Sequence, residues 1–366
     1  MKKITTNTKT LLNAVAAANN YTSKDGDFAG AVTLNGVNGQ MEVKATDMMQ
    51  TIVFKNIAFT SSDLTDNNFA PVTLEGKKLA TVLKVAKSDE VVIEIADGYI
   101  TVKSGRSRAK VETMAKVQDI VLEKGYGKNL DLGECFDGMR YLTHAIDANN
   151  PKFELNGLLL ETDGSNLIMV ATDTRRLATV SKSSSTEDVS IILPKEAILT
   201  LKKLFSGVDI EAEADEHIFS IYSPFVDYET KLISGLFPDF QRIIPKTFSQ
   251  TLVLDTKDFA ELIIEASIFE QDIIINVSQD EITASDLSGN TEAIMPRSET
   301  MHSSTEFKFA VNSKYVLDVL SNTDGEEVEL CFNETNLPFV LKADSDTQEV
   351  IMPVALPEEN EVEEAA

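Results

Sequence analysis

GKKLATVLKVA, residues 76–86, puts Leu79, Val82, Leu83 and Ala86 at i, i+3, i+4 and i+7, the spacing of four apolar side chains on one helix face. Lys77, Thr81, Lys84 and Lys87 fall mostly on the other face. The design returns as PKEAILTLKKLF from Pro194 and NSKYVLDVLSN from Asn312, each start 118 residues after the last. An alternating strand follows each at the same offset: VIEI from Val92, IEAE from Ile210 and VELC from Val328. Chance likeness in one helix would not keep the following strand in register.

The preceding halves repeat too. TKTLLNAVAAA, LGECFDGMRYLTHAI and TKDFAELIIEASI read as helices, and each is followed by strands ending in Ala45-Thr46-Asp47, Ala171-Thr172-Asp173 and Ala284-Ser285-Asp286. The period-two pattern of MEVKA, NLIMVA and EITAS suits antiparallel sheets with one face on a core. The expected fold is α+β: three repeated domains, two helices packed on antiparallel sheets in each, at residues 1–124, 125–248 and 249–356. The boundaries fall at Glu123 to Lys128 and Lys246 to Gln250, and PEENEVEEAA, 357–366, is expected to be a disordered acidic tail. Such an array stacks openly or closes head to tail into a ring, and closure would pair edge strands that otherwise need protection.

The 366 residues are 43% hydrophobic, enough for several cores. Cys135 and Cys331 lie far apart without a CxxC partner, which argues against disulfides and structural zinc. His144 and His217 lie far apart in the second repeat and His302 in the third, none beside a cysteine or at a metal-type carboxylate spacing, and no Gly-rich phosphate loop, GxSxG or HExxH is present. Asp89 with Glu90 and Glu326 with Glu327 recur at strand starts and read as solvated ends. A binding scaffold without cofactor or metal is expected, not an enzyme. The start imitates a secretory signal poorly, since Leu11, Leu12, Val15 and Ala16 fit one face of an amphipathic helix. With no run of about 18 apolar residues, no membrane span is expected and a cytoplasmic location is.

A net charge of −26 ordinarily argues against nucleic acid. Screening over about 8 Å makes the distribution of charge decide, not its total. In the second lysine helix Ile198, Leu201 and Phe205 point inward while Lys195, Lys202 and Lys203 point out. One such face is ordinary solvation; recurrence in equivalent helices implies a basic surface suited to sequence-independent phosphate contact.

Four motifs, SGRSR (104–108), LNGLLLE (155–161) with ATDTRRLA (171–178), LISGLFPDFQRIIP (232–245) and VIMPVAL (350–356), make nearly the whole chain resemble the beta subunit of bacterial DNA polymerase III, the DNA sliding clamp. The resemblance implies a head-to-tail homodimeric ring of two three-domain chains around duplex DNA. It also implies partners: the replicative polymerase's catalytic subunit, a clamp loader, and other polymerases and repair proteins with short clamp-binding motifs. Carried over, the partner-peptide pocket comprises Leu155, Thr172, Thr174, Arg175, Arg176, Leu177, Pro238, Arg242, Ile243, Val350, Ile351, Met352, Pro353 and Val354, with Asn312 and Tyr315 at its edge. There arginine stems wall the groove and their heads meet polar peptide groups. DNA contacts implied are Lys24, Asn149, Lys152 and Phe153, joined by the helix lysines Lys84, Lys195 and Lys202. The implied ring seam sets Lys77, Lys78, Arg106 and Arg108 against Ile268, Phe269 and Glu292. This copy departs from the family's ATDGHRLA at Thr174, for glycine, and Arg175, for histidine, which bears on motif specificity. The rival readings are an open protein-binding solenoid and a hydrolase with an unrecognised site.

Overall fold

The computed structural model describes residues 2–61, 67–122, 124–133, 135–163, 165–186, 188–296 and 306–356. The acidic tail, His302 and the boundary residue Glu123 lie outside the described residues. Repeat one runs β1 (Lys2–Asn7), α1 (Thr8–Ala18), β2 (Ala31–Val37), β3 (Gln40–Thr46), β4 (Gln50–Thr60), β5 (Phe69–Glu75), α2 (Gly76–Lys84), β6 (Glu90–Ala96), β7 (Tyr99–Ser104) and β8 (Ser107–Glu112). Repeat two runs β9 (Lys128–Leu130), α3 (Cys135–Leu142), β10 (Gly157–Thr162), β11 (Asn166–Thr172), β12 (Arg176–Ser183), β13 (Ser190–Pro194), α4 (Lys195–Phe205), β14 (Glu211–Ala214), β15 (Ile218–Tyr222) and β16 (Val226–Lys231). Repeat three runs β17 (Gln250–Asp255), α5 (Thr256–Ala266), β18 (Asp272–Val277), β19 (Glu281–Asp286), β20 (Glu292–Pro296), β21 (Phe307–Asn312), α6 (Ser313–Asn322), β22 (Glu327–Phe332), β23 (Phe339–Lys342) and β24 (Thr347–Ile351).

The chain divides into two compact units, Met1–Asp131 with Lys203–Leu232, and Leu132–Lys202 with Ile233–Ala366. The division passes through repeat two because its two outer strands pair with different neighbours. β16 pairs antiparallel with β4 of repeat one, whereas β12 pairs antiparallel with β24 of repeat three.

In the first unit the sheet path is β8-β7-β6-β1-β4-β16-β15-β14-β9, with β2, β3 and β5 joined beside β4. Helix α1, capped by the Asn7 side chain on Thr10 N–H, buries Thr8, Leu11, Ala14, Val15 and Ala18. The expected stripe through Leu12 and Ala16 is therefore rotated: Leu12 is half-buried and Ala16 exposed. Leu79 and Leu83 of α2 are buried and Lys77, Lys84 and Lys87 exposed, as their spacing requires.

The second unit contains the sheets β13-β10-β11-β12-β24-β23-β22-β17 and β20-β19-β18-β21. Strand alternation splits its apolar side chains into two cores. Leu159, Val170, Leu177, Val340 and Val350 pack with Phe237 and Phe240, while Ile351, Phe309, Phe332 and Phe339 join the side chains of α5 and α6. Gly157 is required by the close pairing of β10 with β13, since a Cβ there would lie 2.2 Å from the Leu193 carbonyl oxygen.

Candidate functional site

The turn between β11 and β12 is dictated by Thr172 and Asp173. Thr172 Oγ1 donates to the Arg176 carbonyl and accepts from Thr174 N–H at 3.1 Å. Asp173 Oδ1 accepts from the backbone N–H groups of Arg175 and Arg176 at 2.9 and 3.0 Å. This short polar cap forces residue 174 into the left-handed region, at φ +77°. A glycine suits that geometry, and a β-branched threonine is strained in it.

The two arginines that follow have opposite surroundings. Arg176 is only 4% exposed. Its Nε donates to Asp173 Oδ2 at 3.0 Å, Nη1 to Asp318 Oδ2 at 2.7 Å, and Nη2 to the His144 carbonyl at 2.7 Å. Its guanidinium stacks over the Tyr315 ring at 4.6 Å, and Nη1 lies 3.7 Å from Glu349 Oε1. Burial works against its charge, while Glu349, Asp318 and Asp173 hold the guanidinium protonated. Glu349 is itself buried and meets His144 Nε2 at 2.6 Å. Burial pushes its carboxyl above the usual carboxylate range, against the opposing pull of His144 and Arg176. The head of Arg176, expected to meet peptide groups, is instead engaged inside the protein, where only paired charge is tolerated.

Arg175 is exposed. Its backbone is fixed on both sides, the N–H by Asp173 and the carbonyl by Met352 N–H at 2.9 Å.

Beside this turn an apolar floor is made by Leu155, Leu177 and Val350 with Phe237 and Phe240. Along the chain around it apolar side chains reach solvent: Met352, Ile243 and Leu236, the last 90% exposed. After β24 the chain leaves the sheet at half-buried Pro353, and Val354 N–H rejoins Ala310 at 2.8 Å. Ile351 belongs to the opposite core, since strand parity turns it away from Val350 and Met352. Arg242 is exposed and paired with Asp239 at 2.7 Å, in the segment that also carries exposed Pro238. Asn312 caps α6 through Lys314 N–H and donates to Asp272 at 2.8 Å, and Tyr315 lies in the first turn of that helix.

Phe237, Phe240, Leu236, His144, Asp318 and Glu349 are absent from the sequence-derived set. Glu349 carried a readable signal, a charge inside the strand TQEVI at a core-facing position. His144 and Asp318 carried none, being more than thirty residues from Arg176 in the chain.

Lys24, Lys84, Asn149, Lys152, Phe153 and Lys202 reach solvent, Phe153 to 73%. Lys195 departs from expectation: it is half-buried, with Nζ donating to the Ile146 carbonyl at 2.8 Å. In the first unit Lys77, Lys78, Arg106 and Arg108 are exposed near β8, a sheet edge, and a cleft of about 590 Å³ there is lined by Lys77, Lys78 and Lys110. Lys78 pairs with Glu75 at 2.7 Å. In the second unit Ile268 and Phe269 are exposed, and Glu292 lies on β20, likewise a sheet edge. Among the described residues no three His, Cys, Asp or Glu side chains form a metal site, and no helix is long and apolar enough to cross a membrane.

Residues 139–239 match the central domain, and 241–355 the C-terminal domain, of the DNA polymerase III beta subunit. The chain is 26% identical over 343 residues to the beta sliding clamp of Helicobacter pylori, covering 88% of each, and 27% identical over 312 residues to that of Pseudomonas putida, covering 78% of this chain and 82% of the relative. Its fold superposes on the Helicobacter pylori beta clamp bound to a DNA ligase peptide with TM-score 0.86 at 23% identity, over 96% of this chain and 100% of that one. The Bacillus subtilis DNA polymerase sliding clamp gives TM-score 0.86 at 17% identity, over 97% and 99%. With two consecutive domain models matching more than half of its length, the chain belongs to the DNA polymerase III beta-subunit family, the bacterial beta sliding clamps.

Proposed function

We propose that two copies of this chain close head to tail around duplex DNA and tether DNA-processing proteins through the groove beside Leu177, Val350 and Met352. The strand pairing at the repeat junctions carries this reading. β4 of repeat one pairs with β16 of repeat two, and β12 of repeat two pairs with the equivalent β24 of repeat three. The next member of each series, β20 of repeat three and β8 of repeat one, is an open edge among the described residues. A partner copy offering β8 to β20, and receiving the reverse, completes six equivalent junctions, a heterologous contact that closes. Ile268 and Phe269 then supply apolar contact at the seam, with Arg106, Arg108, Lys77 and Lys78 facing Glu292.

The three-domain division at residues 1–124, 125–248 and 249–356 follows the same repeat. Lys24, Lys84, Asn149, Lys152, Phe153 and Lys202 face the duplex and bind it without sequence preference. The protein is a non-catalytic processivity factor in the cytoplasm. A clamp loader opens its ring, and the polymerase catalytic subunit, other polymerases and repair proteins share the groove. The Helicobacter pylori clamp bound to a DNA ligase peptide supports such sharing by analogy of fold.

The decisive experiment is topological: the protein, loaded on a nicked circular duplex, is expected to stay bound through a high-salt wash and to leave on linearisation. A monomer at micromolar concentration that never stays on circles would favour the open scaffold. Lys24→Ala is expected to lower the salt slope of DNA binding by up to about one contact; an unaltered slope removes Lys24 from the DNA surface.

A further inference from the structure

We infer that Arg175 is a specificity-determining residue of the groove, selecting partner peptides that carry an aspartate or glutamate close to their apolar anchor. The inference rests on the reading of the groove as a peptide site. Among the three arginines there, Arg176 is engaged by Asp173, Asp318 and the His144 carbonyl, and Arg242 is paired with Asp239. Arg175 makes no side-chain hydrogen bond or ion pair among the described residues, and it is exposed.

Its backbone is nevertheless held in place, by Asp173 at the N–H and by Met352 at the carbonyl, so the side chain starts from a fixed point on the groove rim. An uncommitted guanidinium has no ion pair to break on engaging a ligand, and its planar fork matches a carboxylate better than an ammonium or an imidazole does.

The carboxylates that could compete for it are occupied. Asp173 accepts from two backbone N–H groups and Arg176 Nε, Asp239 from Arg242, Asp272 from Asn312 and Asp318 from Arg176. The Tyr315 hydroxyl is pushed up chiefly by burial and next by Asp173, against the opposing pull of Arg176 and Arg175.

The test uses the full chain and fluorescein-labelled ten-residue peptides with one Leu-Phe pair in an Ala/Ser/Gly background. A single aspartate is walked from three residues before the pair to three after, each beside its asparagine counterpart. At one position the aspartate peptide is expected to bind about threefold to tenfold tighter than the asparagine peptide, a preference that 0.5 M salt removes. Arg175→Gln is expected to bring the two to equal affinity and Arg175→Lys to retain part of the difference. Equal affinities at every position, or a preference that survives Arg175→Gln, overturns the inference while leaving the groove in place. Unaltered binding of all peptides by a Met352→Glu variant, or no binding by the unaltered protein, overturns the groove reading itself.

Discussion

The junction between repeats one and two and the junction between repeats two and three share one backbone frame and differ in what fills it. In both, a threonine and an aspartate close the turn: Met48 N–H reaches Thr46 Oγ1, and Met49 and Gln50 N–H reach Asp47 Oδ1, as residues 174–176 do with Thr172 and Asp173. Met48 stands at φ +75° where Thr174 stands at +77°. Lys231 N–H bonds the Met49 carbonyl at 2.9 Å, as Met352 N–H bonds that of Arg175. The side chains then diverge. Strand register sets Gln50 where the second junction has Arg176, and Tyr228 where it has Glu349; Tyr228 donates to Gln50 at 2.7 Å. Thr51, Glu229 and Lys231 occupy the positions of Leu177, Val350 and Met352. An apolar floor is thus replaced by a hydroxyl and two charged side chains, which removes the chemistry of a hydrophobic groove while the turn stays the same.

The largest expected difference between the junctions is ionic. Arg176→Ala leaves Glu349, Asp318 and Asp173 without their shared cation and is expected to cost about 3 to 5 kcal/mol. Gln50→Ala removes the acceptor that the Tyr228 hydroxyl meets at 2.7 Å and is expected to cost about 1 to 2 kcal/mol. Urea unfolding of both variants breaks the comparison if the first costs no more than the second. Loss of peptide binding in Arg176→Ala would then report collapse of the Tyr315 edge rather than a missing peptide contact.

A pH dependence follows at the second junction. Because the folded-state carboxyl of Glu349 titrates above its unfolded value, its favourable contribution is complete below the unfolded pKa and is lost as pH rises through the folded one. Glu349→Gln is expected to gain thermal stability relative to the unaltered protein as pH rises above the usual carboxylate value of about 4.5. A constant difference between the two melting curves across that range would show that Glu349 does not titrate there.

The smallest effect concerns the turn itself. Thr174→Gly relieves a β-branched residue at positive φ and is expected to stabilise by about 1 kcal/mol, with Met48→Gly giving less. Destabilisation by Thr174→Gly would mean that the threonine makes a compensating contact.

The repeat, the lysine faces of α2 and the helix-then-strand register were legible because helices and strands print their periods on the sequence. Ala-Thr-Asp was legible as fold because it recurs, and its hydrogen bonds bear this out in the first two repeats. Ile351 could have been assigned by parity, since it alternates with Val350 and Met352. The fate of Arg176 was not legible: a lone sequence gives no measure of contacts between residues 32, 142 and 173 positions apart, Arg176 with His144, Asp318 and Glu349. Lys195 fails for a related reason, since its helix face is outward by period but its stem is long enough to turn back to Ile146.

The pairing of β4 with β16 and of β12 with β24 separates the unit that was duplicated from the unit that holds together. A fragment ending at a repeat boundary, such as residues 1–124, would lack β14, β15 and β16 and bare the β4 edge, an invitation to self-association. Dissection of this protein into stable pieces is expected to succeed only where two neighbouring repeats are kept together.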